Sequence, residues 1–450
     1  MKLTYDVSDK PKFGQLIVFA IQQLLAIMAA TLVVPVIVGN GMSPAAALFG
    51  AGVGTLVYVL FTKGKSPVFL GSSFAFLGSM AAAFAGGVSM ALGYLGLILG
   101  ATFAGLVYVV IATIVKIAGV GWINKLMPAV VIGPTVSLIG LSLAGNAAGD
   151  IVKGAVLVEG TPIASPLICL VCGLVTMFTV MLASSFGKKT AKLIPFIIGI
   201  GAGYVVSLIF TLIGNAAGID ALKVMNFEPF TNLVKDGVQL STFFAVPEFT
   251  FQTALGGVAE LNATYISAIA VAYIPVAFVV FAEHIADHKN ISSIIGKDLL
   301  EEPGLSRTLL GDGVGSIAGA IFGGCPNTTY GESVACVAIT GNASVATIIA
   351  AAIGAIIISF LAPFVAIVNS IPACVMGGVC MVLYGFIAVS GLRMFKNIDL
   401  DQSKNLFVVS VILIAGIGGL SVTLGAVTIT PIAVALILGI ITNLMLKKAE

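Results

Sequence analysis

The sequence predicts an all-α polytopic membrane protein with about 14 transmembrane segments in two inverted repeats of seven. Three observations support this fold class: an apolar composition, motifs that recur between the two halves, and positive charges that collect on one side. Of the 450 residues, 59% are hydrophobic and only 9% are charged, and the mean hydropathy is +1.16. Soluble domains carry roughly a quarter charged residues, so this composition excludes a soluble enzyme.

The candidate spans follow from apolar runs, because a helix needs about 20 apolar residues to cross a bilayer. The N-terminal stretch MKLTYDVSDKPKFG is polar for too long to open a cleaved signal peptide. Several of the runs are short or interrupted by Gly and Pro. The spans are expected at residues 15–38, 44–62, 68–85, 90–115, 126–145, 165–184, 193–214, 262–284, 308–323, 331–345, 346–368, 371–392, 405–425 and 429–446.

Positive charges fix the expected orientation of these spans. With a cytoplasmic N-terminus, all of the 21 Lys and Arg residues face the cytoplasm except Lys153, Lys223 and Lys235. Cytoplasmic loops of membrane proteins carry such an excess of Lys and Arg. The pattern therefore predicts a multi-pass protein of the cell membrane with both termini in the cytoplasm.

Motifs in the first half recur in the second half in the same order. The string FGAGVGTL at 49–56 resembles LGDGVGSI at 310–317, and MPAVVIG at 127–133 resembles IPACVMG at 371–377. Each half then holds about seven spans, and an odd number places the second copy upside down in the membrane. Inverted repeats with a binding site near the midplane are typical of secondary transporters.

A third pair of strings locates the candidate site. SPVFLGSSFAF resembles CPNTTYGESVAC when Gly71 is aligned with Gly331, which places Glu332 opposite Ser72. Each string has an extended-looking stretch before an apolar helical run, and unwound backbone at membrane depth is tolerated only where it lines a cavity or is buried in protein. Spans 3 and 10 are therefore predicted to begin as short extended segments and continue as half-helices, whose N-termini meet near Ser72 and Glu332.

Four carboxylates fall within or next to the spans and are functional candidates for that reason. Glu283 and Asp287 share a helix face at i,i+4, where two ionised carboxylates repel, so the pair suits proton coupling. Asp287 could instead be a solvated loop residue beside Lys289. Asp312 could either couple to protons or link two helices by hydrogen bonds. Glu332 is marked by the repeat independently of its charge.

Metal and redox sites are weaker interpretations. His284 and His288 also stand at i,i+4, but their order differs from the H-E-x-x-H zinc motif and no third ligand is evident. Cys169 and Cys172 lie in an apolar span without a partner pair, which favours packing. No metal or cofactor is expected. The long loop at 216–261 is mildly amphipathic, and it is expected outside the cell.

The chain resembles the nucleobase–ascorbate transporter family, also called nucleobase:cation symporter-2, over nearly its whole length. GSSFAF, AEHIADH, EEPGLSRTLLGDG and GGCPNTTYGES look most like its bacterial uracil-transporting branch. The resemblance implies a core domain (spans 1–4 and 8–11) that binds substrate, a gate domain (spans 5–7 and 12–14) and a homodimer. In this sequence the core would be residues 1–122 and 262–368, and the gate residues 123–215 and 369–450.

The resemblance also assigns substrate-binding residues. The expected set is Glu283, Glu332, the backbone of Phe74, Tyr330 and Gly331, and the pocket-lining Ala30. Three positions depart from the family pattern: Ser333 stands where the family has Asn, Ala335 where it has Gly, and Gln23 where His is common. Because Ser333 follows Glu332 directly, its change affects the binding segment itself.

The expected function is uptake of a nucleobase, most simply uracil, by proton symport with alternating access. Uracil offers N–H donors and carbonyl acceptors, which carboxylates and half-helix N–H groups would satisfy, and Glu332 in place of Gln favours uracil over xanthine or urate. Alternatives are a purine permease of the same family or a sulfate-transporter-type anion carrier, against which the midplane glutamates argue. Neither an enzyme nor a nucleic-acid partner is expected.

Overall fold

The computed structural model describes residues 3–119, 121–122, 128–158, 161–424 and 427–446. Lys2, Lys125, Lys447 and Lys448, which contribute to the predicted charge asymmetry, lie outside the described residues. So does residue 123, where the first gate segment was expected to begin.

Helices dominate both halves of the chain. The first half contains α1 (Phe13–Val38), α2 (Pro44–Phe61), β1 (Leu70–Ser72), a 3-10 turn (Phe74–Phe76), α3 (Leu77–Ala83), a 3-10 turn (Ala85–Gly87), α4 (Met90–Ala118), α5 (Ala129–Ser142), α6 (Ala144–Asp150), β2 (Leu157–Val158), β3 (Thr161–Pro162), α7 (Pro166–Phe186), α8 (Lys189–Leu193) and α9 (Pro195–Ala217).

The second half begins with short helical pieces and continues with long helices. Its elements are a 3-10 turn (Asp220–Leu222), α10 (Glu228–Val234), α11 (Leu240–Phe243), α12 (Thr250–Ala254), a 3-10 helix (Leu255–Glu260), α13 (Ala263–Ile295), a distorted turn (Leu300–Gly304), α14 (Leu305–Gly323), β4 (Asn327–Thr329), α15 (Gly331–Thr340), α16 (Val345–Ser359), α17 (Ala362–Asn369), α18 (Ala373–Arg393), a 3-10 turn (Met394–Asn397), α19 (Ser403–Ile417), β5 (Val422–Leu424), β6 (Val427–Ile429) and α20 (Pro431–Met445).

The length and composition of these helices indicate a polytopic membrane fold. Among the described residues, eight helices are long and apolar enough to cross a membrane, and five shorter apolar helices of 10–17 residues accompany them. Many apolar side chains on these helices are exposed, for example Phe178 and Ile209. In a membrane protein such side chains face lipid.

Small residues allow a close helix contact between α2 and α14. Gly50 and Gly54 of α2 face Gly315 and Gly319 of α14, and a Cβ on Gly54 would lie 2.7 Å from the carbonyl oxygen of Gly315. Both pairs have the G-x-x-x-G spacing, which lets helix backbones approach closely in membranes. This contact supports the extended segment β1, which packs against both helices.

The long helices form two packing groups. In the first group α14 packs against α2 and α4, α13 against α4, and α16 against α1 and α2. In the second group α7 packs against α9 and α18, α5 against α18 and α19, and α19 against α20. The candidate site lies between the two groups.

Two extended segments cross inside the first packing group. β1 and β4 pair in antiparallel fashion, with Leu70 opposite Thr329 and Ser72 opposite Asn327. After each strand one residue intervenes and a helical segment begins, at Phe74 and at Gly331. The chain therefore has strand–helix junctions in both regions where the repeated strings occur.

The repeat register predicted at these junctions is wrong by three residues. When the two repeats are aligned at the last residue of each strand, Ser72 is equivalent in sequence to Thr329. Glu332 is then equivalent to Ala75 and not to Ser72. Gly71 lies inside β1, where a Cβ would come within 2.4 Å of the Tyr330 ring, whereas Gly331 is the first residue of α15. The two glycines serve different purposes, which is why matching them shifted the alignment.

The other two repeated strings fall at equivalent places in the structure. α2 begins at Pro44 and α14 at Leu305, a separation of 261 residues, which is also the separation of their strings. α5 begins at Ala129 and α18 at Ala373, and again the separation of the helices, 244 residues, equals that of the strings. Each pair of strings therefore lies at the same distance from the start of its helix, in α2 and α14 and in α5 and α18.

The expected fold, all-α with short extended segments at spans 3 and 10, needs correction, because the described residues contain two antiparallel strand pairs in addition to β1–β4. These are the hairpins β2–β3 and β5–β6. The second hairpin interrupts the span expected at 405–425, whose helix ends at Ile417 before the positive-φ residue Gly419. The span expected at 346–368 is likewise divided, since α16 ends at Ser359 and α17 starts at Ala362.

The loop at 216–261 is a set of short helices that pack on the ends of long ones. The Phe249 ring lies 4.8 Å from the ring of Phe49 in α2 and 5.4 Å from that of Phe322 in α14, measured between centroids. The backbone N–H of Ala245 donates to the carbonyl of Phe360 at 3.0 Å. This loop therefore packs against the first packing group.

Candidate functional site

A cavity of about 490 Å³ lies beside the crossed strands, between the two packing groups. Three carboxylates line it: Glu283 and Asp287 from α13, and Glu332 from the first turn of α15. All three side chains are partly exposed, as expected for groups that face a cavity. Other lining residues include Ala26, Ser73, Phe74, Ala75, Thr328, Thr329, Tyr330 and Gly331, together with Ser184, Phe386, Ser390 and Arg393 from the second group and Lys192 and Leu193 from α8.

Hydrogen bonds hold the two strand–helix junctions against each other. The Ser73 N–H donates to the carbonyl of Pro326 at 2.9 Å, and the Tyr330 hydroxyl donates to the carbonyl of Ser72 at 2.7 Å. The first N–H groups of a helix have no partner within the helix and carry the positive end of its dipole. The segments that start at Phe74 and Gly331 therefore bring donors to the cavity wall.

Asp287 lies at this junction and is not a solvated loop residue. Its helix continues to Ile295, and Thr329 of β4 donates a hydrogen bond from its hydroxyl to Asp287 Oδ2 at 2.9 Å. A Cβ on Gly331 would lie 3.9 Å from Asp287 Oδ1. The carboxylate is therefore close to the N-terminus of α15, whose dipole favours negative charge.

The geometry suits a small, flat and polar ligand. Glu283 and Glu332 provide acceptors on neighbouring elements, the helix N-termini provide donors, and the Phe74 ring provides an apolar face that also packs edge-on against Tyr384 at 6.0 Å. Ligand sites commonly combine an apolar wall with a few converging polar groups.

Two predicted site residues do not line the cavity. Ala30 is buried in α1, and the cavity touches Ala26, one turn earlier on the same face. Ser72 is fully buried, and Ser73 lines the cavity instead. Successive side chains in an extended segment point to opposite sides, so a prediction that is off by one position selects the buried side chain.

Asp312 is also away from the cavity. It is fully buried in α14, and its Oδ2 lies 2.6 Å from Nδ1 of His284. The other ring nitrogen of His284 lies 3.0 Å from the hydroxyl of Thr308. These contacts join α13 to α14 behind the two carboxylates that face the cavity.

The second histidine belongs to a separate chain of hydrogen bonds that the sequence did not indicate. His288 stacks on His284 at 4.0 Å between ring centroids, and its Nε2 lies 2.6 Å from the Tyr58 hydroxyl. Tyr58 in turn lies 2.7 Å from the Ser66 hydroxyl. His288 Nδ1 faces the carbonyl of His284 at 2.8 Å, so Nδ1 carries the proton and Tyr58 donates to Nε2.

Two of the three departures from the family pattern contact each other. The side chain of Gln23 in α1 is hydrogen-bonded to the hydroxyl of Ser333, and both residues are buried. The same hydroxyl accepts the backbone N–H of Phe69 at 3.0 Å. One short side chain thus connects α1, the segment before β1 and the first turn of α15, directly beside Glu332.

The cysteines and histidines do not assemble a metal centre among the residues that the structure describes. Cys169 and Cys172 are fully buried against Cys374 of α18 in a small apolar cluster. This is the packing role expected from the apolar span around them.

Comparison with known proteins identifies relatives along the full length. A family model described as "Permease family" matches residues 14–425. The chain is 37% identical to "Uracil permease" of Bacillus subtilis (strain 168), covering 100% of this chain and 96% of that protein. It is 35% identical to "Uracil permease" of Escherichia coli (strain K12), with 98% and 93% covered. It is 31% identical to "Putative pyrimidine permease RutG" of the same strain, with 98% and 91% covered.

Solved structures show the same fold at low sequence identity. The transmembrane domain of the cyanobacterial bicarbonate transporter BicA superposes with a TM-score of 0.64 at 15% identity, covering 97% of this chain and 100% of that one. The murine anion transporter Slc26a9 in its inward-facing state gives 0.62 at 12% identity, covering 98% and 69%. This likeness concerns the fold alone.

Proposed function

The chain belongs to the Permease family of nucleobase–ascorbate transporters, and from this we propose that it imports uracil by proton symport with alternating access. The observation that carries the proposal is the full-length identity of 35–37% to uracil permeases. The resemblance drawn from the sequence motifs is thereby confirmed. The protein is a multi-pass membrane transporter of nucleobase type, and its family is one of permeases and not of enzymes.

The cavity supports uracil as the substrate. Uracil is neutral and offers two N–H donors and two carbonyl acceptors, so its binding needs both acceptors and donors in a desolvated site. We assign the acceptors to Glu283 and Glu332, and the donors to the backbone at Phe74, Tyr330 and Gly331. A missing partner in such a site costs about 1–3 kcal/mol, which is sufficient to discriminate between bases.

Alternative substrates fit the cavity less well. Anion carriers share the fold, but three carboxylates in one cavity oppose an anionic ligand. A purine such as xanthine could use the same elements, and Glu332, at a position where the family has an acid or an amide, is the feature that favours uracil.

The remaining parts of the proposal concern topology. We propose fourteen spans, with a core of residues 1–122 and 262–368 that contains the first packing group. The gate comprises residues 123–215 and 369–450 and contains the second group, and 216–261 is an extracellular loop. Both termini are cytoplasmic, and the protein works as a homodimer in the cell membrane. Movement of core against gate would expose the cavity to each side in turn.

Competition for uptake tests the substrate. The protein, expressed in cells that lack endogenous nucleobase uptake, should accumulate labelled uracil, and unlabelled uracil should compete better than xanthine, adenine or sulfate. Glu332→Ala should abolish measurable uracil binding, because the base loses an acceptor in the desolvated site. Glu332→Gln should weaken uracil binding by about tenfold to a hundredfold, as expected for loss of a charged acceptor.

The matched control is Glu301→Gln, which changes an exposed acid beyond the cytoplasmic end of α13 and should leave uracil affinity unchanged. Folding of each variant is checked by size-exclusion chromatography of detergent-purified protein. Wild-type affinity in a folded Glu332→Ala protein would refute the site assignment, and superior competition by sulfate would refute the substrate class.

A further inference from the structure

The charged residues that line the cavity are divided by sign between different structural elements. The three acids, Glu283, Asp287 and Glu332, all come from α13 and α15. The two bases come from other elements: Arg393 is the last residue of α18 in the second group, and Lys192 belongs to α8, which packs against α7 and α9 of the second group and also against α1 and α15. No other Lys, Arg, His, Asp or Glu lines this cavity among the described residues.

The two bases lie where the cavity meets the surface. Both side chains are exposed, whereas the acids lie deeper, beside the crossed strands. The positions are anchored by packing: Leu193, next to Lys192, is buried against Ala26 of α1 and Cys336 of α15. Cys336 is one helical turn beyond Glu332, so in this structure Lys192 lies near the helix that carries a cavity acid.

We propose that Lys192 and Arg393 drive release of the coupling proton into the compartment to which this cavity opens. The inference rests on the proposed proton symport and adds two residues to it. A positive charge near a carboxylate favours its ionised form. With both cations at the mouth, the acids lose the coupling proton more readily when the cavity is open on this side than when the core has moved away from the gate cations.

The charge balance supports this role. Three ionised acids and two bases leave one net negative charge in the cavity, and one bound proton cancels it. The cavity with one bound proton is therefore neutral overall when it is open to this side. After the proton leaves, the ionised acids are attracted to the two cations of the gate. The cations do not need to touch the substrate, since they act across the cavity on the acids.

The size of the effect follows from the distance across a partly wetted cavity. A unit charge on the order of 10 Å away, with an effective dielectric constant of about 40, changes a proton's binding constant by roughly threefold to fivefold. Two such charges together change it by about 10-fold to 25-fold. Without the two cations, the cavity acids should therefore keep the proton until the internal pH is raised by about one unit.

The test compares two kinds of transport by Lys192→Gln/Arg393→Gln in proteoliposomes. Uracil exchange between equal pools does not require proton release, whereas net uptake does. The variant should exchange uracil but show net uptake reduced about tenfold at internal pH 7, and raising internal pH by one unit should restore it. Lys192→Arg keeps the charge and should behave as wild type, and Lys396→Gln, an exposed cation near Arg393 that does not line the cavity, is the matched control.

The outcomes separate this inference from the proposed function. Absence of uracil exchange by the wild-type protein would refute the proposed function itself. With wild-type exchange present, an unchanged ratio of net uptake to exchange in the double variant at every internal pH would overturn the role of the two cations. Impairment of Lys192→Arg equal to that of Lys192→Gln would overturn it as well, because the charge would then be irrelevant.

Discussion

Replacing Asp287 by Asn should uncouple transport from the proton without disrupting the site. Asn retains an oxygen that can accept the Thr329 hydroxyl, which lies 2.9 Å from Asp287 Oδ2, so the contact between α13 and β4 is preserved. Asn cannot bind the coupling proton that we propose Asp287 shares with Glu283, one turn earlier on the same helix. The substitution therefore removes a titratable group and leaves the geometry in place.

The expected magnitude follows from the energy of the gradient. One pH unit is worth about 1.36 kcal/mol per proton, so a one-to-one symporter with the membrane potential clamped concentrates uracil about tenfold. Asp287→Asn should exchange uracil between equal pools yet reach an accumulation ratio of about one. Glu283→Gln should impair both activities, because Glu283 is also assigned to the base.

The assay measures counterflow and gradient-driven uptake in the same proteoliposomes, with the external side one pH unit more acidic. A sodium gradient of equal size serves as the comparison and should drive no accumulation in the wild type. Tenfold accumulation by Asp287→Asn would refute the coupling role of Asp287 and transfer it to Glu283. Accumulation that follows sodium and ignores a protonophore would refute proton coupling altogether.

Two further predictions concern the elements that support the site. Tyr330→Phe removes the hydroxyl that donates to the buried carbonyl of Ser72 at 2.7 Å. Because an unsatisfied buried carbonyl costs about 1–3 kcal/mol of stability, the variant should unfold at a lower temperature than the wild type, and unchanged thermal stability would contradict the link between the crossed segments. Gly54→Ala places a Cβ 2.5 Å from Asn327 Nδ2 and should lower thermal stability, since overpacking costs about 1–3 kcal/mol, whereas Gly201→Ala, with no atom within 4 Å of the new Cβ, should not.

The sequence predicts two kinds of feature well: helices that contain repeated strings, and acidic residues within apolar spans. The starts of α2 and α14, and of α5 and α18, follow from repeated strings, because equivalent helices reuse the same small residues for close packing. The three acids that share the cavity were found because a carboxylate within an apolar span is conspicuous.

Features that depend on a one-residue register or on distant contacts could not be predicted. Ser72 was chosen where Ser73 faces the cavity, because strand alternation cannot be read from a three-residue strand. The bond from Thr329 to Asp287 joins residues 42 positions apart. The sequence marks Lys192 and Arg393 only as expected cytoplasmic charges, and nothing in their local sequence shows that both reach the same cavity.

The fourth intramembrane acid, Asp312, was predicted as a proton-coupling residue or a structural link, and hydrogen-bond geometry favours the link. The Thr308 hydroxyl donates to the carbonyl of Leu305 at 3.1 Å, so it accepts from Nε2–H of His284 at 3.0 Å. One proton then remains between His284 Nδ1 and Asp312 Oδ2, 2.6 Å apart, and the pair is neutral overall whichever atom holds it. Losing that proton would leave the buried Asp312 carboxylate facing the lone pair of His284 Nδ1, at a cost of several kcal/mol. We infer that Asp312 keeps its hydrogen bond with His284 throughout the transport cycle and so holds α13 against α14. The exchangeable proton then belongs to the acids that face the cavity.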